Sequence, residues 1–301
     1  MPQLDANGLS FEYESFGRDA DPAILLIMGF SAQMTMWPTA LCEGLAGQGF
    51  RVIRFDNRDV GKSTHLSHLG APDIPGTMAK LASGEPAAVP YALEDMAADA
   101  VGVLKALDIP SAHIVGASMG GMIAQIVAAK YPHATRSLVS IMSTTGRRDL
   151  PQAAPEVLAA LTTPPASDSR ADRIATGIKV WLAIGSPGYR ESEAELRATV
   201  EREVDRAAYE PAGIGRQMLA IWTALPRNDL LKTVTAPALV IHGADDPLIP
   251  VEGGKDTAAS IPGCALVVVP GMGHGFESRL VPIYLQHIGD FVRGVEARRT
   301  A

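Results

Sequence analysis

The chain has 301 residues, 26 Lys and Arg against 33 Asp and Glu, a formal net charge of −7 and 47% apolar residues. That length suits one large α/β domain or two smaller ones with a full core, and the composition is globular. The negative balance and the lack of any Lys/Arg cluster exclude a face that tracks nucleic-acid phosphates.

Residues 1–9 carry no basic stretch followed by an apolar run and a cleavage site, and the apolar runs are too short or too interrupted by glycine to span a bilayer. The expectation is a cytoplasmic protein without a membrane span. Cys42 and Cys264 stand alone, with no CxxC or zinc spacing, and read as buried thiols between which a disulfide is left open.

Residues 9–16 alternate as LSFEYESF, a half-exposed strand, and 17–22 form a polar turn. AILLIM at 23–28 is a continuous apolar strand ending at Gly29. A helix over 37–46, with Pro38 in its first turn, leads to a strand at 51–55. Strand, helix and strand within roughly thirty residues make a βαβ unit, which implies a parallel sheet with helices on both faces.

DNRDVGKS at 56–63 is a charged loop at a strand's C-terminal end. It lacks the upstream glycine of a phosphate-binding loop, so Asp56 and Arg58 are expected to tie it to its neighbours. Residues 65–90, rich in Pro, Gly and Ala, read as a surface excursion with a short helix near 77–82. A periodic helix follows over 93–107, with Asp95 and Asp99 on one side and Met96, Val103 and Leu107 toward the core.

SAHIVGASMGGMIAQIVAAK at 111–130 passes straight from an apolar strand into a helix at Ser118. Glycines at 116 and 120 flank this serine as a sharp turn requires. Its hydroxyl then stands beside the free N–H groups of the helix start, where negative charge is stabilised. The plainer reading is a serine that only caps the helix.

After a strand at 136–141 the pattern changes. Residues 144–225 hold no good strand, only helical stretches at 153–161, 170–185, 191–205 and 213–225. All-helical insertion of about eighty residues between sheet strands reads as a cap, against the alternative of ordinary helices packed on the sheet. The charged run 191–206 reads as a solvated helix face. Strands resume at 238–242 and 265–269 around a helix at 255–260, and an amphipathic helix over 279–298 closes the chain. The expected organisation is a core of 1–143 and 229–301 with a helical cap at 144–228.

A serine hydroxyl needs a histidine within reach and a carboxylate to orient it. HGADDP puts Asp245 and Asp246 just past the 238–242 strand, and PGMGHG puts His274 just past the 265–269 strand. With Ser118 they fall on the C-terminal edge of one parallel sheet, in the chain order serine, acid, histidine. Of the other histidines, His65 and His68 lie in a loop, His113 in the serine strand, His133 after a helix end and His287 in the last helix, all read as structural or solvated. His242 lies close to the acids and is the nearest competitor.

GASMG, HGADDPLIP, PGMGHG and DNRDVGKS together resemble the α/β-hydrolase superfamily over nearly the whole chain, and the nearer likeness is to small bacterial carboxylesterases, cofactor-free haloperoxidases and anthracycline methylesterases. The fourth segment departs from DxRGxGxS at Asp59, where glycine is usual. The resemblance implies an α/β fold with a mostly parallel sheet flanked by helices and an inserted helical cap. It also implies a serine hydrolase, with Ser118 as nucleophile, His274 as base and Asp246, three residues after Gly243, as the acid. Asp245 is left to bond the turn backbone. Oxyanion donors are implied at the backbone N–H of Met119 and of Phe30, the latter in a loop with MG where many relatives have HG.

The implied substrate is a small-molecule carboxylic ester, with lactonase, amidase, aminopeptidase, C–C hydrolase and perhydrolase chemistry open to the same residues. A ligand-binding receptor of the same fold is the alternative of another class. Trp181, Met218, Ile221 and Trp222 of the cap, with Phe30, Met34, Met36, Met119 and Met142, suit an apolar acyl site or a cap core. No metal ligands cluster and no dinucleotide fingerprint occurs, so no cofactor is implied, and the oligomeric state is left open.

Overall fold

The structure, a computed structural model, describes residues 1–85 and 87–300. Pro86, inside the 65–90 excursion, and Ala301, the last residue of the expected second core segment, lie outside the described residues. A sheet of eight strands runs β1 (Gln3–Ala6), β2 (Leu9–Phe16), β4 (Arg51–Phe55), β3 (Ala23–Ile27), β5 (Ala112–Ala117), β6 (Thr135–Ile141), β7 (Ala238–Gly243) and β8 (Ala265–Val269) in spatial order. β1 and β2 form an antiparallel hairpin, β2 meets β4 antiparallel, and every pairing from β4 to β8 is parallel.

The parallel strands are continuous apolar runs because both faces are covered. In β3 the pleat sends Leu25 and Ile27 to one side and Ile24 and Leu26 to the other, all four wholly buried. On the Leu25 side lie α3 (Leu93–Ala106) and α4 (Met119–Lys130); on the Ile24 side lie α1 (Thr39–Gly47) and α11 (Val281–Thr300). α4 is buried from Met119 to Ala128, packed between sheet and neighbouring helices, so its sequence is apolar all round. At the edge, β8 keeps Leu266 and Val268 partly exposed.

The remaining core helices are α2 (Ile74–Ser83), α9 (Asn228–Leu231) and α10 (Val251–Ser260). α2 runs longer than 77–82 because Asp73 caps its start and Gly84, in the left-handed region, ends it. Between β6 and α9 come α5 (Pro155–Thr162), α6 (Arg170–Ile184), α7 (Glu193–Arg206) and α8 (Pro211–Trp222), the inserted helical cap. Among the described residues no helix is long and apolar enough to cross a membrane. Cys42 and Cys264 are both free thiols: Cys42 is buried in α1, and Cys264, half-exposed, precedes β8.

One expectation is corrected here. The 191–206 run is not a solvated face throughout: Glu203 and Arg206 turn inward, Glu203 Oε1 accepting from Thr35 Oγ1 at 2.5 Å and Arg206 Nη2 lying 2.8 Å from Asp56 Oδ2. As expected of Arg58, it ties the loop after β4 to α3, pairing with the buried Asp99 at 2.6 Å.

Candidate active site

Ser118 sits between β5 and α4 with φ 55° and ψ −121°, a conformation side chains rarely adopt. The crossing that forces it is tight. A Cβ on Gly116 would stand 2.0 Å from the Gly120 carbonyl oxygen, and one on Gly120 would stand 2.0 Å from that of Ile27. The turn is held from β6, where the Ser118 N–H donates to Ile141 O at 3.0 Å and the Ser143 hydroxyl donates to Ser118 O at 2.8 Å. The Ser118 side chain itself makes no cap hydrogen bond, so the capping role is not the one it plays.

Past β7, Asp246 is 5% exposed and its Oδ1 accepts the N–H groups of Leu248 and Ile249, each at 2.9 Å. Its Oδ2 lies 2.8 Å from His274 Nδ1. A carboxylate only accepts, so Nδ1 carries the hydrogen of this bond and Nε2 is left as the ring's free acceptor. Asp245 points elsewhere, accepting the Gly271 N–H at 2.8 Å and so bracing the turn that carries His274. His242 gives its Nε2 to Ile249 O at 2.8 Å, and burial holds it below the ordinary imidazole range, a neutral prop behind Asp246.

Ser118, Met119, Phe30 and His274 line one cavity of about 680 Å³. No hydrogen bond joins the Ser118 hydroxyl to His274 among the described residues, and neither the Phe30 nor the Met119 N–H has a partner there. Gly29 lets the Phe30 loop close on the elbow: a Cβ there would meet that of Ser118 at 3.0 Å. Met142, Trp181, Met218, Ile221, Trp222 and Met36 also line the cavity. Met34 does not. Asp56 Oδ1 draws its N–H inward at 2.7 Å, and its side chain is wholly buried beneath the loop. Among the described residues, no cluster of His, Cys, Asp or Glu is arranged to hold a metal ion.

The cap grips the same loop. The Ser31 N–H donates to Gln217 Oε1 at 2.9 Å, while Gln217 Nε2 donates to Arg58 O at 2.8 Å. Beside it, the fully buried Arg216 pairs with Asp59 through two bonds, Nε to Oδ2 at 2.8 Å and Nη2 to Oδ1 at 2.6 Å. Burial opposes the Asp59 charge, but Arg216, the Leu66 N–H and the Tyr91 hydroxyl outweigh it and hold the carboxyl below its ordinary range. Asp59 has φ 65°, which explains the glycine usual at that position and why aspartate, which tolerates this region, can stand in for it. The departure at Asp59 was the one sequence signal for this anchor. Nothing in the sequence marked Gln217 or Glu203.

Residues 22–276 match the model of the alpha/beta hydrolase fold. The chain belongs to that family. It is a hydrolytic enzyme of the α/β-hydrolase superfamily, with the small bacterial esterases, lactonases and haloperoxidases as its relatives. The hydrolase is 26% identical over 281 residues to a rhodomycin D methylesterase of Streptomyces peucetius, covering 87% of each chain. It is 23% identical over 254 residues to the 3-oxoadipate enol-lactonase 2 of Acinetobacter baylyi, covering 84% of this chain and 82% of the relative. In fold it is similar to the enol-lactonase from Burkholderia xenovorans, with a TM-score of 0.74 at 21% identity over 97% of this chain and all of the other.

Proposed function

We propose that the hydrolase cleaves carboxylic esters of small or medium acyl groups through an acyl-enzyme on Ser118. The observation that carries this reading is a strained, uncapped serine opening onto an apolar cavity whose wall also holds a histidine paired through Nδ1 with a buried carboxylate. Asp246 orients His274. His274 Nε2 takes the Ser118 proton as Oγ attacks the ester carbonyl, then returns it to the leaving alkoxide. The N–H groups of Met119 and Phe30 receive the oxyanion, and water activated by the same histidine releases the acid. Catalytic hydrogen bonds of this kind tighten in the Michaelis complex, which is where the Ser118–His274 contact is used.

The cap, taken as residues 144–228, closes the apolar end of the site with Trp181, Met218 and Trp222. Turnover of p-nitrophenyl acetate and butyrate, set against matched anilides, tests the reaction class. The expected result is ester cleavage without amide cleavage, abolished in Ser118→Ala and accompanied by fluorophosphonate labelling of wild type only. Unchanged hydrolysis by Ser118→Ala would sink the assignment.

A further inference from the structure

Arg227, at the start of α9, lines the same cavity and is only 5% exposed. No carboxylate lies within ion-pair distance of it among the described residues. Its Nε donates to Gln125 Oε1 at 3.1 Å and its Nη2 to Thr144 O at 2.7 Å, both neutral acceptors, and its Nη1 has no partner among the described residues. Burial lowers its pKa to about 10, and the one carboxylate whose field offsets this is Glu94, which sits 3.5 Å from Lys130 instead. The guanidinium is therefore charged at neutral pH, desolvated and uncompensated, a condition folds rarely keep without use.

The neighbouring loop sharpens the pattern. Arg147 also lines the cavity, but Asp149 and Asp256 take its charge at 2.5 and 2.8 Å. Arg148 lines it too, exposed and with neither an ion pair nor a hydrogen bond among the described residues. Two uncommitted cations thus face a cavity that is otherwise mainly apolar. The carboxyl lining this cavity among the described residues, Glu203, is engaged by Thr35 between α7 and the loop after β3.

We infer that Arg227, assisted by Arg148, is a subsite for a carboxylate carried by the substrate at a distance from the ester. Gln125, against which Arg227 is set, lies seven residues beyond Ser118 along α4, roughly 10 Å of helix rise. The substrate class is then an ester or lactone whose acyl part ends in an anion several bonds from the reacting carbonyl. An arginine gives this recognition its direction through paired N–H donors. The assignment rests on the ester-hydrolase reading and adds the acyl group's charge to it.

The test uses p-nitrophenyl monoesters of straight-chain dicarboxylic acids, from succinate to suberate, each against the ω-carboxamide of equal length. In the wild type kcat/KM should favour the carboxylate tenfold or more at one optimal spacer, Arg148→Ala should reduce that preference several-fold, and Arg227→Gln should bring it within twofold of unity. A guanidinium that only clamps the loop after β6 would lower the melting temperature of Arg227→Gln without changing the ratio. Equal or better turnover of the carboxamides by the wild type, or a preference that survives Arg227→Gln, overturns the inference. Should Arg227→Gln fail to fold, the wild-type ratio and Arg148→Ala still decide it. Calorimetric titration of Ser118→Ala with adipate and with adipamide separates the two readings, because binding of adipate alone supports the anion subsite whatever becomes of Ser118, and equal binding of both contradicts it.

Discussion

The sheet core and the cap are held by different physics. In the core, β3, β5 and β7 are buried along their whole length, and their side chains meet helices on both faces through non-directional apolar contact. In the cap, α7 buries one side chain, Val200, and α6 two, Ile174 and Ile184. Of the cap helices α8 alone seats a side chain, Ala220, in the core cluster among the described residues, and the remaining ties that dock the cap are directional: Arg216 on Asp59, Gln217 on Ser31, Glu203 on Thr35, Arg206 on Asp56 and Glu277 on Ser186. The core thus fixes Ser118, Asp246 and His274 to one sheet edge, whereas the cap sets the shape and charge above them. Because its ties end on the loop that carries Phe30 and on the loop after β4, the position of the cap and that of the Phe30 loop are linked.

Breaking the core side of this comparison gives the larger effects. Asp246→Asn should lower kcat by about 10³–10⁴-fold by losing the tautomer that leaves His274 Nε2 free, while Asp245→Asn, which touches only the Gly271 N–H, should cost far less. Steady-state kinetics on one ester compares them, and equal losses would mean that the acid has been placed wrongly.

On the cap side the expected loss is in stability. Arg216→Ala leaves Asp59 charged and unpaired in a dry site and should cost about 3–5 kcal/mol by chemical denaturation. The paired change Asp59→Gly with Arg216→Met removes both charges and should recover most of that, since glycine suits φ 65°. A double variant no better than Arg216→Ala would show that the charges are not the anchor.

The smallest effect is a pH dependence. Burial raises the Glu203 carboxyl from 4.5 to about 7. Between those values the folded protein holds a proton that the unfolded chain has released, so this residue's contribution falls as pH rises and its cost is complete above about 7. Glu203→Gln should flatten that limb of the stability profile, and an unchanged slope in denaturation midpoints between pH 5 and 7, as about one proton's worth of linkage predicts otherwise, would remove Glu203 from the cap latch.

What could be read in the sequence follows the same division. Ser118, Asp246 and His274 each stand just past an apolar run, so local pattern alone put them on one edge in that chain order, and the family resemblance chose Asp246 over Asp245. β1 escaped because the alternation in QLDA spans only four residues with one bulky apolar side chain, and the strand is held by its pairing with β2. Glu203 and Arg206 looked solvated because their partners, Thr35 and Asp56, are 168 and 150 residues away, beyond any helical period. Met34 looked like a pocket methionine because nothing local shows that Asp56 turns its loop inward. Arg227 had no sequence signal at all, since its missing counter-charge is a property of the fold.

If the turn between β5 and α4 performs the chemistry, kcat on p-nitrophenyl butyrate must collapse in Ser118→Ala. A loss of about 10⁴-fold or more with an unchanged melting temperature is the predicted result. Turnover within tenfold of wild type by a folded Ser118→Ala protein would contradict it.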